Sequence, residues 1–398
     1  MVETALKKMA ILSHALPPDP SGQAIVLYRL LQKLNSAAYC LISSVKYDCC
    51  SSTESSCLPG NYIVFKPPYQ LSRPTRWNLF KLRNAINMTI TIISRAKQLV
   101  ALIRMERCEV LVACTGDFAD LPAAYLATKW TKILLIPYVF DDYAYQWIGL
   151  ERTAAKLLEP KIIKGAHTVI VPNENMRNEY LLRYGVDSEI LRNPTILPNL
   201  SELDQEPKIF NTGEVNIVYT GSIYHAHYDA FRNIIAAIRN VEHKTIKLHL
   251  YTSQPKAKLV ENGVIGEMVV YHGHIAGAEV PKVLRQADIL FLPLAFKSAI
   301  NEVIKTSAPG KTGEYLAMGK PILVHAPPDS FLSWFFEKNE CGVVVNEDDS
   351  TAVQIALERI ILDDTLKENL ARRAREVAEQ EFDVNIVAQQ FIKLLNNN

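Results

Sequence analysis

Lys311 and Glu314 stand three residues apart inside the segment Ser307-Ala-Pro-Gly-Lys-Thr-Gly-Glu-Tyr-Leu-Ala-Met-Gly-Lys-Pro321. A turn on Pro309 and Gly310 opens a short predicted helix, which Gly319, Lys320 and Pro321 close. Free N–H groups around Gly310, Lys311 and Thr312, with the Lys311 ammonium, favour an anion, above all a phosphate. Glu314 offers the two acceptor oxygens that a ribose diol needs. Phosphate and ribose capture this close together is the chemistry of a nucleotide site. The same residues also fit ordinary helix punctuation with a solvated Lys and Glu, so the rest of the chain has to decide.

Other residues are placed where such a site gathers its contacts. His14 ends the first predicted strand, and Asp141 and Asp142 follow a later one. Strand ends of this kind collect ligands in parallel sheets. A His there is more often packed or solvated, and an Asp there often only caps the next helix. Asn173 and Glu174 sit similarly after Val171-Pro172, and His225 and His227 share one loop.

The elements that must position these residues are legible as an alternation. Short apolar runs at Ala10–Ser13, Tyr39–Ser43, Tyr62–Phe65, Val110–Cys114, Ile133–Val139 and Thr168–Val171 are separated by helical segments such as Gln23–Leu34 and Leu121–Lys129. A second series covers Asn216–Tyr219, Lys247–Tyr251, Met268–His272, Ile289–Leu292, Ile322–His325 and Gly342–Val345. Helices are expected between them at Asp229–Val241, Val280–Ala287 and Thr351–Ile361. Strands apolar on both faces and separated by helices imply α/β domains with covered parallel sheets. Six strands are expected in each series. The Pro-, Asn- and acid-rich stretch Leu197–Gly213 divides them. The expected organisation is a first Rossmann-like domain over 1–198, a linker over 199–213, a second Rossmann-like domain over 214–382, and a C-terminal helix over 383–398 returning to the first domain.

Composition limits the function classes. The chain has 398 residues, 48% hydrophobic and 21% charged, with a net charge of +1, which gives no whole-protein argument for nucleic acid. Met1 to Lys8 lack a secretion signal, and no run approaches a transmembrane length, so a cytoplasmic protein is expected. Seven irregularly spaced cysteines, Cys49, Cys50 and Cys57 clustered among them, are expected to be reduced thiols without a metal.

Twin Rossmann-like domains, a linker and a closing helix resemble the GT-B fold of nucleotide-sugar glycosyltransferases, with parallel sheets facing across a cleft. Specific residues resemble family 4 of the retaining enzymes, the group 1 glycosyltransferases. Pro309–Pro321 matches that family's Pro-x-Lys-x-x-Glu-Tyr-Leu-Ala-x-Gly-x-Pro block. Ser13-His-Ala-Leu-Pro-Pro-Asp-Pro-Ser-Gly-Gln23, Val218-Tyr-Thr-Gly-Ser-Ile-Tyr224 and Ala287–Pro293 resemble its other landmarks. Two features depart from it. The first Glu of the family's Glu-x7-Glu motif falls on Thr306, and the loop after Gly221 carries neither the Arg nor the Lys that many members direct at the diphosphate. Lys311 then carries more of the phosphate charge, aided by His225 or His227.

The resemblance implies transfer of a hexose from a UDP-sugar such as UDP-glucose, with retention and with no metal or cofactor. The acceptor would be a polysaccharide or a lipid-linked glycan of bacterial exopolysaccharide or cell-envelope synthesis. By position, Glu314 binds the ribose, while Gly310, Lys311 and Thr312 bind the diphosphate with Gly221 and Ser222. His272, His274 and Ile275 hold the base, and Ser21 and Gly22 approach from the other domain. His14, Lys311 and Asp142 are the catalytic candidates. A nicotinamide dehydrogenase is disfavoured, because neither loop after a first strand carries Gly-x-Gly-x-x-Gly. A nucleotide-sugar epimerase and a weakly active nucleotide-sugar-binding scaffold remain the alternatives.

One stretch points elsewhere. From Lys66 to Met105 there are eight Lys or Arg (Lys66, Arg73, Arg76, Lys81, Arg83, Arg95, Lys97, Arg104) and no acid. Leu79, Leu82, Ile86, Ile90, Ile93, Val100 and Ile103 recur at helical spacing. The stripe is expected to pack on the first sheet, with the basic side resting on an anionic membrane as a compatible alternative.

Overall fold

The computed structural model describes residues 7–47, 57–72, 77–242 and 244–396, so Cys49, Cys50, Arg73 and Arg76 lie outside the described residues. Among the described residues, thirteen strands build two parallel sheets. The first contains β1 (Met9–Leu12), β2 (Tyr39–Ser43), β3 (Asn61–Val64), β4 (Val110–Cys114), β5 (Leu134–Tyr138), β6 (Ile170–Val171) and β7 (Glu189–Ile190), in the order β3-β2-β1-β4-β5-β6-β7. The second contains β8 (Glu214–Thr220), β9 (Thr245–Tyr251), β10 (Val269–Gly273), β11 (Ile289–Pro293), β12 (Ile322–His325) and β13 (Val343–Val345), in the order β10-β9-β8-β11-β12-β13. The first sheet has one strand more than the sequence shows, because β7 is two residues long and only half-covered.

Both orders reverse direction beside the first strand of the sheet, at β1/β4 and at β8/β11. That is the switch point outside whose carboxyl ends ligands bind in such sheets. Central strands β1, β4, β11 and β12 are buried throughout, as expected of strands covered on both faces. In the first sheet, Ala10, Leu12, Leu111 and Ala113 pack on one side with Ala96, Leu99 and Ile103 of the helix Trp77–Glu106. Met9, Ile11, Val110 and Val112 pack on the other with Val26, Leu27 and Leu30.

The chain divides into one unit of Met1–Pro194 with Val387–Asn398 and another of Thr195–Ile386. The second unit starts at Thr195 because that residue is stitched to the chain near its far end. Its N–H donates to the Phe382 carbonyl at 2.7 Å, and its carbonyl accepts from the Val384 N–H at 2.9 Å. Residues 199–213 are anchored to the second unit: Leu200–Leu203 is helical, Asp204 pairs with Arg285 at 2.7 Å, and Leu203 and Phe210 lie against its core. The final helix, Val384–Asn396, places Val387, Ala388, Phe391 and Leu395 in the core of the first unit.

Two other expectations change. Leu79–Glu106 is long and apolar enough to cross a membrane by length and composition only, a test that core helices also pass. Its apolar stripe also divides: Ile92, Ala96, Leu99 and Ile103 are buried, whereas Leu79, Leu82, Ile86 and Ile93 are exposed. Finally, Cys57 is in a disulfide, while Cys40, Cys108, Cys114 and Cys341 are buried free thiols.

Candidate functional site

In the second unit the segment around Pro309 folds as the sequence suggests, with a helix over Lys311–Ala317. Its seating explains several of its residue types. Gly313 faces Thr195 and Phe382; a Cβ there would come within 2.9 Å of the Phe382 ring and closer still to Thr195 Oγ1. Tyr315, one turn after Lys311, is fully buried and its hydroxyl accepts from the Thr220 N–H at 2.9 Å. Thr312 and Leu316 are buried as well. Lys311 and Glu314 alone on this helix keep half-exposed side chains, and they share one face at i, i+3 spacing.

Lys311 is held against the end of β8. Its Nζ donates to the Tyr219 hydroxyl at 2.5 Å and lies 4.1 Å from the centre of that ring. The Tyr219 hydroxyl in turn donates to the Ser222 carbonyl at 2.6 Å. Gly221 adopts φ +112°, and a Cβ there would sit 3.2 Å from Lys311 Cε and Nζ. A side chain at 221 would therefore be strained and would displace the ammonium. Burial lowers the Lys311 pKa to about 7, against a smaller upward pull from Glu314. Tyr219, also buried, is pushed well above its ordinary value and stays a phenol. His227 is driven well below its ordinary range by burial, then by Lys311 and His225. It is a neutral ring whose Nδ1 accepts from the Tyr224 N–H at 3.5 Å, so it brings no charge to a phosphate. His225 is exposed.

The same strand ends continue toward the sheet edge. The Gly221 N–H donates to the Tyr251 carbonyl at 2.9 Å. The Tyr251 ring stacks on His272, with centroids 4.2 Å apart and planes at 4°. His272 therefore lies one strand beyond Tyr251, with His274 exposed and Ile275 packed on the core. His249 supports it, with Nδ1 2.9 Å from His272 Nε2 and Nε2 3.1 Å from Asn216 Oδ1. Burial lowers His249 to about 4 and lowers His272 too, so both rings are neutral at pH 7. Gly221, Ser222, Lys311, Glu314, Tyr251 and His272 thus belong to one end of one sheet. Sequence reasoning missed Tyr219 and Tyr251, whose alternation inside apolar strands marks them only as core.

In the first unit His14 follows β1 at the switch point. It is exposed, with Nδ1 3.3 Å from Ser44 Oγ and 3.9 Å from Asp117 Oδ2. Arg95 reaches this end from its helix and donates to Asp117 and Asp120, each at 2.6 Å. Asp120 is fully buried, and burial raises its pKa to about 7. Ser21 precedes the helix Gly22–Leu31 with a buried hydroxyl that has no partner, and a Cβ on Gly22 would meet open space.

Asp142 departs from its expected catalytic role. It is fully buried and clamped by Arg183, with contacts of 3.2 and 2.5 Å. A buried carboxylate held by both guanidinium nitrogens is a structural ion pair, and its oxygens are already engaged. Glu174 is likewise held by Arg192, at 2.8 and 2.7 Å, and Asn173 caps its helix by accepting from the Met176 N–H at 2.9 Å. Asp141 is exposed. Among the described residues no group of three or more His, Cys, Asp or Glu converges as a metal site.

Comparison with known proteins bears on the family and the fold. Residues 214–363 match the family model of group 1 glycosyl transferases, so the second unit carries a group 1 glycosyltransferase domain. Solved structures match over nearly the whole chain and show the fold to be GT-B. Sucrose-phosphate synthase from Thermosynechococcus elongatus is 16% identical with a TM-score of 0.68, covering 98% of each chain. HepE of Anabaena in complex with UDP-glucose is 14% identical with a TM-score of 0.69, covering 98% of this chain and 99% of that one. A putative UDP-N-acetylglucosamine 2-epimerase from Listeria monocytogenes is 12% identical with a TM-score of 0.59, covering 98% and 95%. The comparison with curated proteins found no match.

Proposed function

We propose that this chain, whose second unit carries a group 1 glycosyltransferase domain, transfers a sugar from a nucleotide donor held at the end of β8. The carrying observation is that Lys311 and Glu314 are the two only partly buried positions of an otherwise buried helix, with Lys311 seated beside Gly221 at the switch point. Lys311 binds the diphosphate and stabilises the charge that develops on it as the sugar leaves. Glu314 accepts from the ribose hydroxyls, and the His272–Ile275 loop holds the base. We assign the donor as a UDP-hexose, UDP-glucose first, which fits the HepE complex. The acceptor is a polysaccharide or a lipid-linked glycan, attacked with retention and without a metal.

Epimerisation of a nucleotide sugar is the second reading, favoured by the likeness to the putative epimerase. Incubation with UDP-glucose and UDP-N-acetylglucosamine separates the two. Slow release of free UDP supports transfer, and appearance of an epimeric nucleotide sugar supports the epimerase. Binding without turnover refutes both. Calorimetry with Glu314→Ala checks the site: UDP-glucose affinity should fall about 10- to 100-fold, the loss of hydrogen bonds to a charged acceptor. Unchanged affinity would remove Glu314 from the ribose.

A further inference from the structure

The helix Trp77–Glu106 is out of proportion to the sheet it covers. Its 30 residues span roughly 45 Å at about 1.5 Å per residue. The neighbouring β4 has 5 residues, about 17 Å at roughly 3.3 Å each. The helix residues that enter the core, Ile92, Ala96, Leu99 and Ile103, all fall in the C-terminal half. The helix precedes β4 and runs antiparallel to it, so its N-terminal half extends past the carboxyl ends of the strands.

This overhang is apolar and uncovered. Leu79 is 49% exposed, Phe80 51%, Leu82 57% and Ile86 39%. The loop before it adds Tyr69 and Leu71, also exposed. That loop is fixed along the helix by paired contacts: the Leu71 N–H donates to Asn87 Oδ1 at 2.9 Å, and Asn87 Nδ2 donates to the Leu71 carbonyl at 3.3 Å. The Lys66 backbone makes the same two-way contact with Gln98, at 2.8 and 3.0 Å. Loop and helix therefore form one continuous apolar ridge.

Its charge is of one sign. Lys66 and Lys81 are exposed, and Arg83 is half-exposed with its guanidinium 4.8 Å over the Phe80 ring. No Asp or Glu occurs from residue 66 to 105. Asp117 and Asp120, which meet the helix on its inner side, are taken up by Arg95. Glu106, at the far end, pairs with Lys8.

We infer that this ridge docks on an anionic lipid bilayer, with Phe80, Leu79, Leu82 and Tyr69 entering the headgroup boundary and Lys66, Lys81 and Arg83 meeting lipid phosphates. A second copy of the chain is the poorer occupant, because a two-fold pairing of the ridge would set lysines and arginines against one another. The ridge lies on the membrane and does not cross it, since Ile92, Ala96, Leu99 and Ile103 are committed to the core. Apolar side chains beside cations, on a face without acids, are the composition of an interfacial helix.

Flotation of the full chain with phosphatidylcholine vesicles, with and without a quarter of phosphatidylglycerol, tests this. The expected result is binding to the anionic vesicles only, weakened by salt. Phe80→Glu with Leu82→Glu, and separately Lys81→Glu with Arg83→Glu, should each lower that partitioning about tenfold or more. Phe80, Lys81 and Leu82 are exposed and Arg83 is half-exposed, and unchanged thermal unfolding and unchanged UDP-glucose binding show that the fold and the donor site are intact. Equal binding to both vesicle types, or undiminished binding by either variant, overturns the inference. A dimer in sedimentation velocity that Phe80→Glu dissolves also overturns it, assigning the ridge to a second copy. Vesicle binding is read without turnover, so its failure is distinct from failure of the proposed reaction.

Discussion

If Lys311 holds the diphosphate, donor affinity must fall with rising pH in a range where an ordinary lysine would be indifferent. Burial beside Tyr219 lowers this ammonium to about 7. Contact with a diphosphate returns it toward the ordinary lysine value, so above pH 7 binding takes up a proton. Each pH unit then costs up to about tenfold in affinity, or about 1.36 kcal/mol. Between about pH 6.5 and 8.5 the protonated fraction falls about 25-fold, and UDP-glucose affinity should follow it. UDP-glucose is the right probe, because a terminal phosphate, such as that of UDP, itself titrates near about pH 6. Titration calorimetry in two buffers of different ionisation enthalpy reads both the affinity and the proton taken up. Lys311→Met should bind weakly with no slope, and Lys311→Arg should flatten the slope, since guanidinium does not titrate there. A flat wild-type profile, or the same slope in Lys311→Met, would refute the assignment. Stability runs the other way. The folded pKa lies below the unfolded one, so the unfolded chain holds more protons between about pH 7 and 10.5 and stability rises with pH across that window. Lys311→Met should therefore raise the melting temperature at neutral pH while weakening the donor site, a trade-off typical of functional buried charges.

Two further outcomes follow from the first unit. Asp142→Ala leaves Arg183, partly buried, with only its Glu179 partner at 3.3 Å and should cost up to about 3 kcal/mol in a urea titration; a stable variant with impaired turnover would restore Asp142 to the reaction. Asp120 and Glu159 are both raised to about 7 by burial. Their contribution to stability is present below the unfolded carboxylate range, near pH 4, and is lost as pH rises through about 7. Asp120→Asn combined with Glu159→Gln should flatten the change in urea midpoint between pH 5 and 8, and an unaltered profile would show that these acids do not set it.

The sequence carried the fold well, because strands buried on both faces announce themselves as apolar runs between helices. Glu189–Ile190 escaped because two residues have no pattern. Residues 199–213 resembled a linker because Leu203 and Phe210, which tie them to the second unit, are isolated apolar positions among polar ones. In the candidate site, Lys311 and Glu314 were legible from type and spacing. Their supports were not: Tyr219 and Tyr251 look like core until their ring and carbonyl contacts are seen. Asp142 misled because its partner, Arg183, is 41 residues away. For the basic helix, periodicity identified an apolar face but could not say how far along its length the sheet would cover it.

The stitching of Thr195 to Phe382, beneath Gly313, has a consequence for how the protein is made. Phe382 belongs to the core that seats the Lys311 helix, and Val387, Phe391 and Leu395 belong to the core around β1. Both cores are completed only when residues 382–395 have left the ribosome. Synthesis therefore exposes two nearly finished parallel sheets at once, each waiting for the same C-terminal segment, and contacts so distant in sequence form slowly. A nascent chain stalled before residue 382 would carry every residue of the proposed donor site and yet lack the Phe382 ring that packs beneath Gly313.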